Sequence, residues 1–428
     1  MVLIYSAVNS SRLQYTCSFI FKEQLQSDFD ITTDAGKFKA HEGAKINYSN
    51  EAISINEFRI GSVNLLFEND IQQQRINCFE TGRYKAFFRT AGADLSFDIL
   101  AATFFLLSRY EEYLPHKKDI YGRYAHENSL AFKEGLLNIP LVNVWTKALA
   151  DKLKEKYSIF NFQFPIFSFV PTYDIDIAYA YKHKGLVRSL GAFFKFPTLE
   201  RVKVLAGSQK DPFDAFEWMD TLHQKHVLQP LYFFLAAQKN GVYDKNILPG
   251  TTAFAHLVKQ HGDTYETGIH PSWQSGDDFL LLQQEKSIIE NITGKAVKRS
   301  RQHYIRFDLP QGYRRLLEAG ITDDYSMGYG SINGFRASVA ASFYWYDLQK
   351  EEQTNLRIHP FCFMDANSFY EQRFVAEQAY GEAIHYLNIC REVNGQLITI
   401  WHNNFLGTAK QFAGWRECYE KFIQQVKL

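Results

Sequence analysis

From about Phe164 to the C-terminus, short apolar runs alternate with amphipathic stretches, and most of the runs end on a polar or ionisable residue. The runs lie at 166–173, 230–235, 265–270, 297–304, 357–364 and 396–401, with helical patterns at 213–226, 277–291, 309–319 and 368–392. Strands alternating with amphipathic helices are the pattern of βα units, which build a parallel sheet covered by helices. Gly320 closes the 309–319 helix and Asn394-Gly395 closes 368–392, each at a position where a helix commonly ends in a left-handed residue or turn. The stretch 182–212 reads as a helical insertion able to wall a cleft. In a β/α architecture the C-terminal ends of the strands are where functional side chains collect.

The first part of the chain has a different texture. Residues 1–90 read mainly as β: 52–60 alternates for part of its length and 63–67 resembles a further strand. The pattern turns helical over 94–114 and again over 140–157. A chain of 428 residues exceeds one ordinary core, so the expected division is an α+β unit over 1–162 and an α/β unit over 163–428.

Lys plus Arg and Asp plus Glu number 47 each, so no global field draws the chain to nucleic acid or an acidic membrane. Five scattered cysteines without a Cys-x-x-Cys pair exclude a disulfide scaffold or a zinc ribbon. The apolar run 99–107 is about half a bilayer span, and the opening Met1-Val2-Leu3-Ile4-Tyr5 lacks a basic leader. A cytoplasmic protein with no transmembrane segment is expected.

Four polar stretches mark the ends of apolar runs. Asp174 and Asp176 share one face of an extended segment, where two like charges raise each other's pKa unless a cation lies between them. The plain alternative is a cap and a solvated carboxylate. His270 is followed by Pro271, which turns the chain out of the sheet; it suits a metal ligand or a buried hydrogen-bonded histidine. Arg301 can orient a carboxylate bidentately or form a surface salt bridge, and His303 stands beside it. His402, after an apolar run ending in Trp401, suits a general acid. Asp323, Asp324 and Asp365 are further strand-end carboxylates. Gly328, Gly330 and Gly334 lack dinucleotide spacing and read as a mobile loop over the cleft. Among the aromatics, Trp273 and Tyr325 can stack on sugar rings or pack in the core.

In their order these stretches resemble the motifs of the NodB-type polysaccharide deacetylase superfamily, carbohydrate esterases that remove acetyl groups from N-acetyl sugars. Thr172-Tyr173-Asp174-Ile175-Asp176 resembles the first motif and Ile269-His270-Pro271-Ser272-Trp273-Gln274 the second. Arg301-Gln302-His303-Tyr304 resembles the third, the region from Asp323-Asp324-Tyr325 to Trp345 stands at the fourth, and Ile400-Trp401-His402 resembles the fifth. The resemblance covers about the last three-fifths of the chain. It implies a distorted NodB-like (β/α) barrel preceded by an α+β domain. The stretch Leu107-Ser108-Arg109-Tyr110-Glu111-Glu112-Tyr113-Leu114 resembles an uncharacterised domain found ahead of some bacterial deacetylase-like domains.

The resemblance implies Asp174 as general base, Arg301 as its orienter and His402 as general acid. It implies Asp176 and His270 as ligands of a divalent metal, zinc with cobalt or nickel as alternatives. The family's second histidine is replaced by Gln274, and His303, where the family has proline, is the candidate third ligand. Trp273, Tyr304, Tyr325, Trp401 and Asn403 are the expected substrate contacts. The expected partner is an N-acetylated carbohydrate or a sugar-linked precursor. The function implied is metal-dependent deacetylation in envelope or capsule glycan metabolism; the alternative is a catalytically degenerate, carbohydrate-binding relative.

Overall fold

A computed structural model describes every residue except 83, 158–161, 185–197 and 428. Near the N-terminus, β1 (Val2–Tyr5), β2 (Phe29–Thr32), β3 (Lys45–Tyr48) and β4 (Phe58–Ile60) form a parallel sheet in the order β2-β1-β3-β4. A hairpin of β5 (Phe79–Thr81) and β6 (Tyr84–Ala86) follows. The apolar run at 99 becomes a helix, Ile99–Leu107, buried on every side and capped by Asp98, whose Oδ1 accepts from the Ala101 N–H.

Two expected strands take another form. Only the end of 52–60 pairs, because the Glu57 carboxylate accepts from the Ile53 and Ser54 N–H groups and folds that stretch into a turn. Residues Asn64–Phe67 make one tight helical turn, with the Val63 N–H tied to Asp98.

The second sheet has nine strands: β7 (Ser168–Ile175), β8 (Leu231–Leu235), β9 (Glu266–His270), β10 (Arg299–Ser300), β11 (Asp323–Asp324), β12 (Phe343–Asp347), β13 (Glu352–Ile358), β14 (Phe363–Met364) and β15 (Gln396–His402). Their order is β12-β13-β11-β10-β9-β8-β7-β15-β14, parallel throughout except for the β12–β13 pair. The molecule is thus mixed α/β with parallel sheets. Strand pairing among the described residues leaves β14 and β12 at separate ends, so the hydrogen bonds do not close the expected barrel. Helices Phe216–His226, Thr252–Thr264, Phe279–Thr293, Gln311–Glu318, Ala376–Glu392 and Trp415–Lys427 accompany the sheet.

The register explains one glycine. A Cβ at Gly268 would lie 2.6 Å from the Phe233 ring and 2.8 Å from the Arg299 carbonyl, so β9 fits between its neighbours only without a side chain there.

Several segments depart from the sequence pattern. The run 297–304 pairs only at Arg299–Ser300, since Tyr304 and Ile305 take left-handed conformations (φ 59° and 56°) and turn the chain away. The run 357–364 belongs to two strands, because His359 and Pro360 leave the sheet between β13 and β14. Helix 368–392 begins at Ala376, and the helix Thr252–Thr264 was not expected. Of the 182–212 insertion, Leu199–Leu205 is helical, and 185–197 falls outside the described residues.

One continuous core of buried apolar residues runs through both sheets. The edge strand β12 is covered by N-terminal helices: Tyr346 lies 5.1 Å from the Tyr15 and Phe104 rings, and Tyr15 donates its hydroxyl to the Tyr344 carbonyl at 2.8 Å. Buried ions cross the same boundary. Arg12 pairs with Glu351, and Glu112 accepts from Arg109 at 2.7 Å and from Arg336 at 2.6 Å. Arg336 also donates to the Gly328 carbonyl, so the expected mobile loop at 328–334 is packed instead, with Gly328 and Gly334 buried. Among the described residues no helix is long and apolar enough to cross a membrane.

Candidate metal centre and active site

The C-terminal ends of β7, β9 and β15, and the turn after β10, converge on one point. Past the end of β7 the chain is held from both sides. Asn246 accepts from the Ala178 N–H and donates to the Ile175 and Leu235 carbonyls, and Asn403 donates to the Ile177, Ala178 and Phe213 carbonyls. Asp176 is thereby fixed at the centre of the cluster.

Asp174 is buried and ion-paired at 2.8 Å with Arg301, which is itself fully enclosed. The same guanidinium donates to Thr172 Oγ1 at 2.8 Å and to the Tyr325 carbonyl at 3.0 Å, so its direction is set by three acceptors. A buried arginine so fixed holds the Asp174 side chain in one orientation.

Around Asp176 stand three imidazoles. His270 Nε2 is 3.0 Å from Oδ1, and His303 Nε2 and His402 Nε2 are each 3.4 Å from Oδ2. Each ring's other nitrogen is committed. His270 Nδ1 donates to the Arg301 carbonyl at 2.6 Å, an acceptor that fixes the proton there. His303 Nδ1 faces Asp244 at 2.9 Å, and His402 Nδ1 faces Asp365 at 2.6 Å, while Asp365 also accepts the His402 backbone N–H.

These tautomers test whether a cation fits. With Nδ1 of His270 and of His303 turned to an oxygen acceptor, each Nε2 faces the Asp176 carboxylate, whose Oδ1 is buried with no hydrogen-bond donor. Lone pairs facing lone pairs at 3.0 to 3.4 Å are repulsive unless a proton or a metal lies between them. Asp176, His270 and His303 offer ligand atoms within 4.8 Å of one another. Three protein ligands with an open side is the donor set of a catalytic zinc site, and a carboxylate with two imidazoles suits zinc, cobalt or nickel.

The local field agrees. Burial works against charge on Asp176, but the three histidines outweigh it and hold the carboxyl well below its usual range. Burial likewise disfavours the imidazolium at His303, yet Asp176 and Asp244 raise it to about 9. His402 is held well above the ordinary histidine range, against burial, by Asp365 and Asp176. The site carries concentrated negative charge that protons or a divalent cation must balance.

The cluster opens into a cavity of about 1290 Å³ lined by Asp174, Asp176, His270, His303, Tyr304 and His402, among others. Of the expected substrate residues, Tyr304 borders this space. Trp273 does not; it stacks at 3.8 Å on Tyr243, which does. Three others lie elsewhere. Tyr325 is buried between Phe233 and His359, Trp401 packs against Tyr419 and Trp415, and Asn403 is the anchor of 177–178 described above. Alternation along a strand sends Trp401 to the helix side while its neighbour His402 faces the cleft. Gln274 is exposed on the turn after Pro271. Asp244 was missed by the sequence reading, as it sits in a loop with no periodic signal; Asp365 was singled out there without a role.

Residues 2–158 match the model of a family of unknown function, DUF7033. No curated protein matches the chain. Among solved structures it is similar to a protein from Mycobacterium smegmatis assigned as a polysaccharide deacetylase, at 12% identity and TM-score 0.41, over 61% of this chain and 84% of that one. It is also similar to the polysaccharide deacetylase Bc1974 from Bacillus cereus, at 12% and 0.31 over 61% and 88%. A third is a CE4 family pseudoenzyme from Bacillus anthracis, at 10% and 0.30 over 61% and 60%.

Proposed function

We propose that this protein is a metal-dependent hydrolase that removes the acetyl group from an N-acetylated sugar of an envelope or capsule glycan, with residues 163–428 as the deacetylase-like unit. The observation that carries the reading is Asp176: a buried carboxylate oxygen without a donor, faced by imidazole nitrogens whose partner nitrogens are already committed. Asp176, His270 and His303 would hold the ion. When bound, it would polarise the acetamide carbonyl and acidify a water molecule.

The chain's own residues divide the proton work. Asp174, held in place by Arg301 at 2.8 Å, takes the proton of the attacking water. His402, kept protonated by Asp365, delivers a proton to the departing amine nitrogen, so that acetate and the free amino sugar leave. Tyr304 and Tyr243, bordering the cavity, offer ring faces to the sugar. Replacement of the family's second histidine by Gln274 favours one other reading, a degenerate site that binds glycan without cleaving it.

The deciding experiment measures acetate release from N-acetylated sugars and oligosaccharides after loading with zinc, cobalt or nickel. Asp174→Asn is expected to keep one equivalent of metal and lose turnover. Asp365→Asn, which removes the carboxylate that keeps His402 charged, is expected to lower kcat by about 100-fold or more at unchanged metal content. A wild type that takes up no metal and releases no acetate from any substrate would sink the hydrolase reading and leave the binding one.

A further inference from the structure

The cleft is not made by the strand ends alone. Its outer wall comes from residues 117–133, in the N-terminal part of the chain, which bring Lys117, Tyr121, Arg123 and His126 to the cavity. This segment is fastened on several sides. The Leu130 N–H donates to Glu111 at 2.9 Å, His126 Nδ1 meets Ser331 Oγ at 2.9 Å, and Lys118 pairs with Asp308 at 2.6 Å.

Arg123 ties this segment to the turn beside His303. It is buried, its Nε donates to Asp119 at 2.6 Å, and its Nη1 donates to the Tyr304 carbonyl at 2.9 Å. Tyr304 directly follows His303 and begins the left-handed pair of residues, the second of them the β-branched Ile305. Such a conformation persists only where the surroundings enforce it. Tyr121 packs on Tyr304 at 5.3 Å, reinforcing the same turn. The approach needs Gly330: a Cβ there would lie 2.0 Å from Arg123 Nη1 and 2.8 Å from the Tyr304 carbonyl.

We propose that the N-terminal region is a working part of the active site, closing one side of the cleft and, through Arg123, positioning the turn that presents His303. Arg123 touches no ligand atom; it is a positioning residue. The inference rests on the metal-centre reading above and gives the otherwise unexplained N-terminal region a task within it.

The test is a cobalt(II) titration of the full chain, following the d–d absorption band and the dissociation constant, for wild type, Arg123→Met and Arg123→Lys. Partners that orient a ligand typically cost 10- to 100-fold in metal affinity when removed. Arg123→Met is therefore expected to weaken cobalt binding at least about 10-fold and to alter the band, with Arg123→Lys regaining part of the loss because it still donates to the carbonyl. Should Arg123→Met fail to fold, Asp119→Asn, which frees Arg123 Nε, is expected to show a smaller loss of the same kind. If wild type binds cobalt and the folded variants bind it equally well, this inference is overturned while the metal centre stands. If wild type binds none, both fall.

Discussion

His303→Ala is expected to lose the divalent ion, and adding Gln274→His is expected not to bring it back. The drop in zinc affinity should exceed the roughly 100-fold that removal of an orienting partner costs, because a direct ligand is lost and Asp176 and His270 alone fall short of a catalytic donor set. The second half of the prediction follows from geometry. Gln274 is exposed on a turn in which the Gly276 N–H returns to the Ser272 carbonyl, so an imidazole placed there faces solvent. His303 approaches Asp176 from the neighbouring strand's turn, with Asp244 holding its other nitrogen. Zinc stoichiometry after dialysis, with a competition titration for affinity, reads both halves. A His303→Ala protein that keeps one tightly held zinc, or a double variant that regains it, would overturn the assignment of His303.

Glu112→Gln is expected to destabilise the fold by about 3–5 kcal/mol, the range for breaking a buried ion pair by removing one partner. Its carboxylate lies between two enclosed guanidiniums, those of Arg109 and Arg336, and glutamine would leave Arg336 without an acidic partner and Arg109 with Glu111 alone. Burial alone would raise the Glu112 pKa, but Arg336 and Arg109 outweigh it and hold it down at about 2. A carboxyl depressed on folding stabilises fully above its unfolded pKa, near 4.3, and that contribution fades as pH falls toward the folded value. The gap between wild type and variant in urea midpoint should therefore be flat from pH 6 to 8 and narrow below about pH 4. A gap that stays constant into acid, or that is absent at neutral pH, would show that the triad does not hold the two parts together.

The sequence was most legible where an apolar run met a polar terminus. Asp174, Asp176, His270 and His402 stood out because β7, β9 and β15 are long, buried and regular, so the side-chain alternation could be followed to the last residue. Strands of two residues, β10, β11 and β14, leave almost no period to read: the runs holding β10 and β14 were drawn too long, and β11 was not drawn as a strand. The β12–β13 hairpin was passed over because Phe343-Tyr344-Trp345-Tyr346 looks equally like a ring-lined cleft. Aromatics beside a motif gave no direction: Tyr304 reached the cavity, whereas Tyr325 and Trp401 turned into the core. Asp244 and Arg123 act across long separations in sequence, from loops whose placement depends on the finished fold.

The covering of β12 has a consequence for anyone shortening this chain. That strand ends the large sheet, carries four consecutive aromatics, and is shielded by Tyr15 and Phe104 from the other part of the molecule. Cut away at 162, the remainder would present a bare aromatic strand edge, a template on which further copies can add. The trimmed protein should precipitate or polymerise where the whole one stays dispersed. Protection of that edge, here, is something the first part of the chain provides for the second.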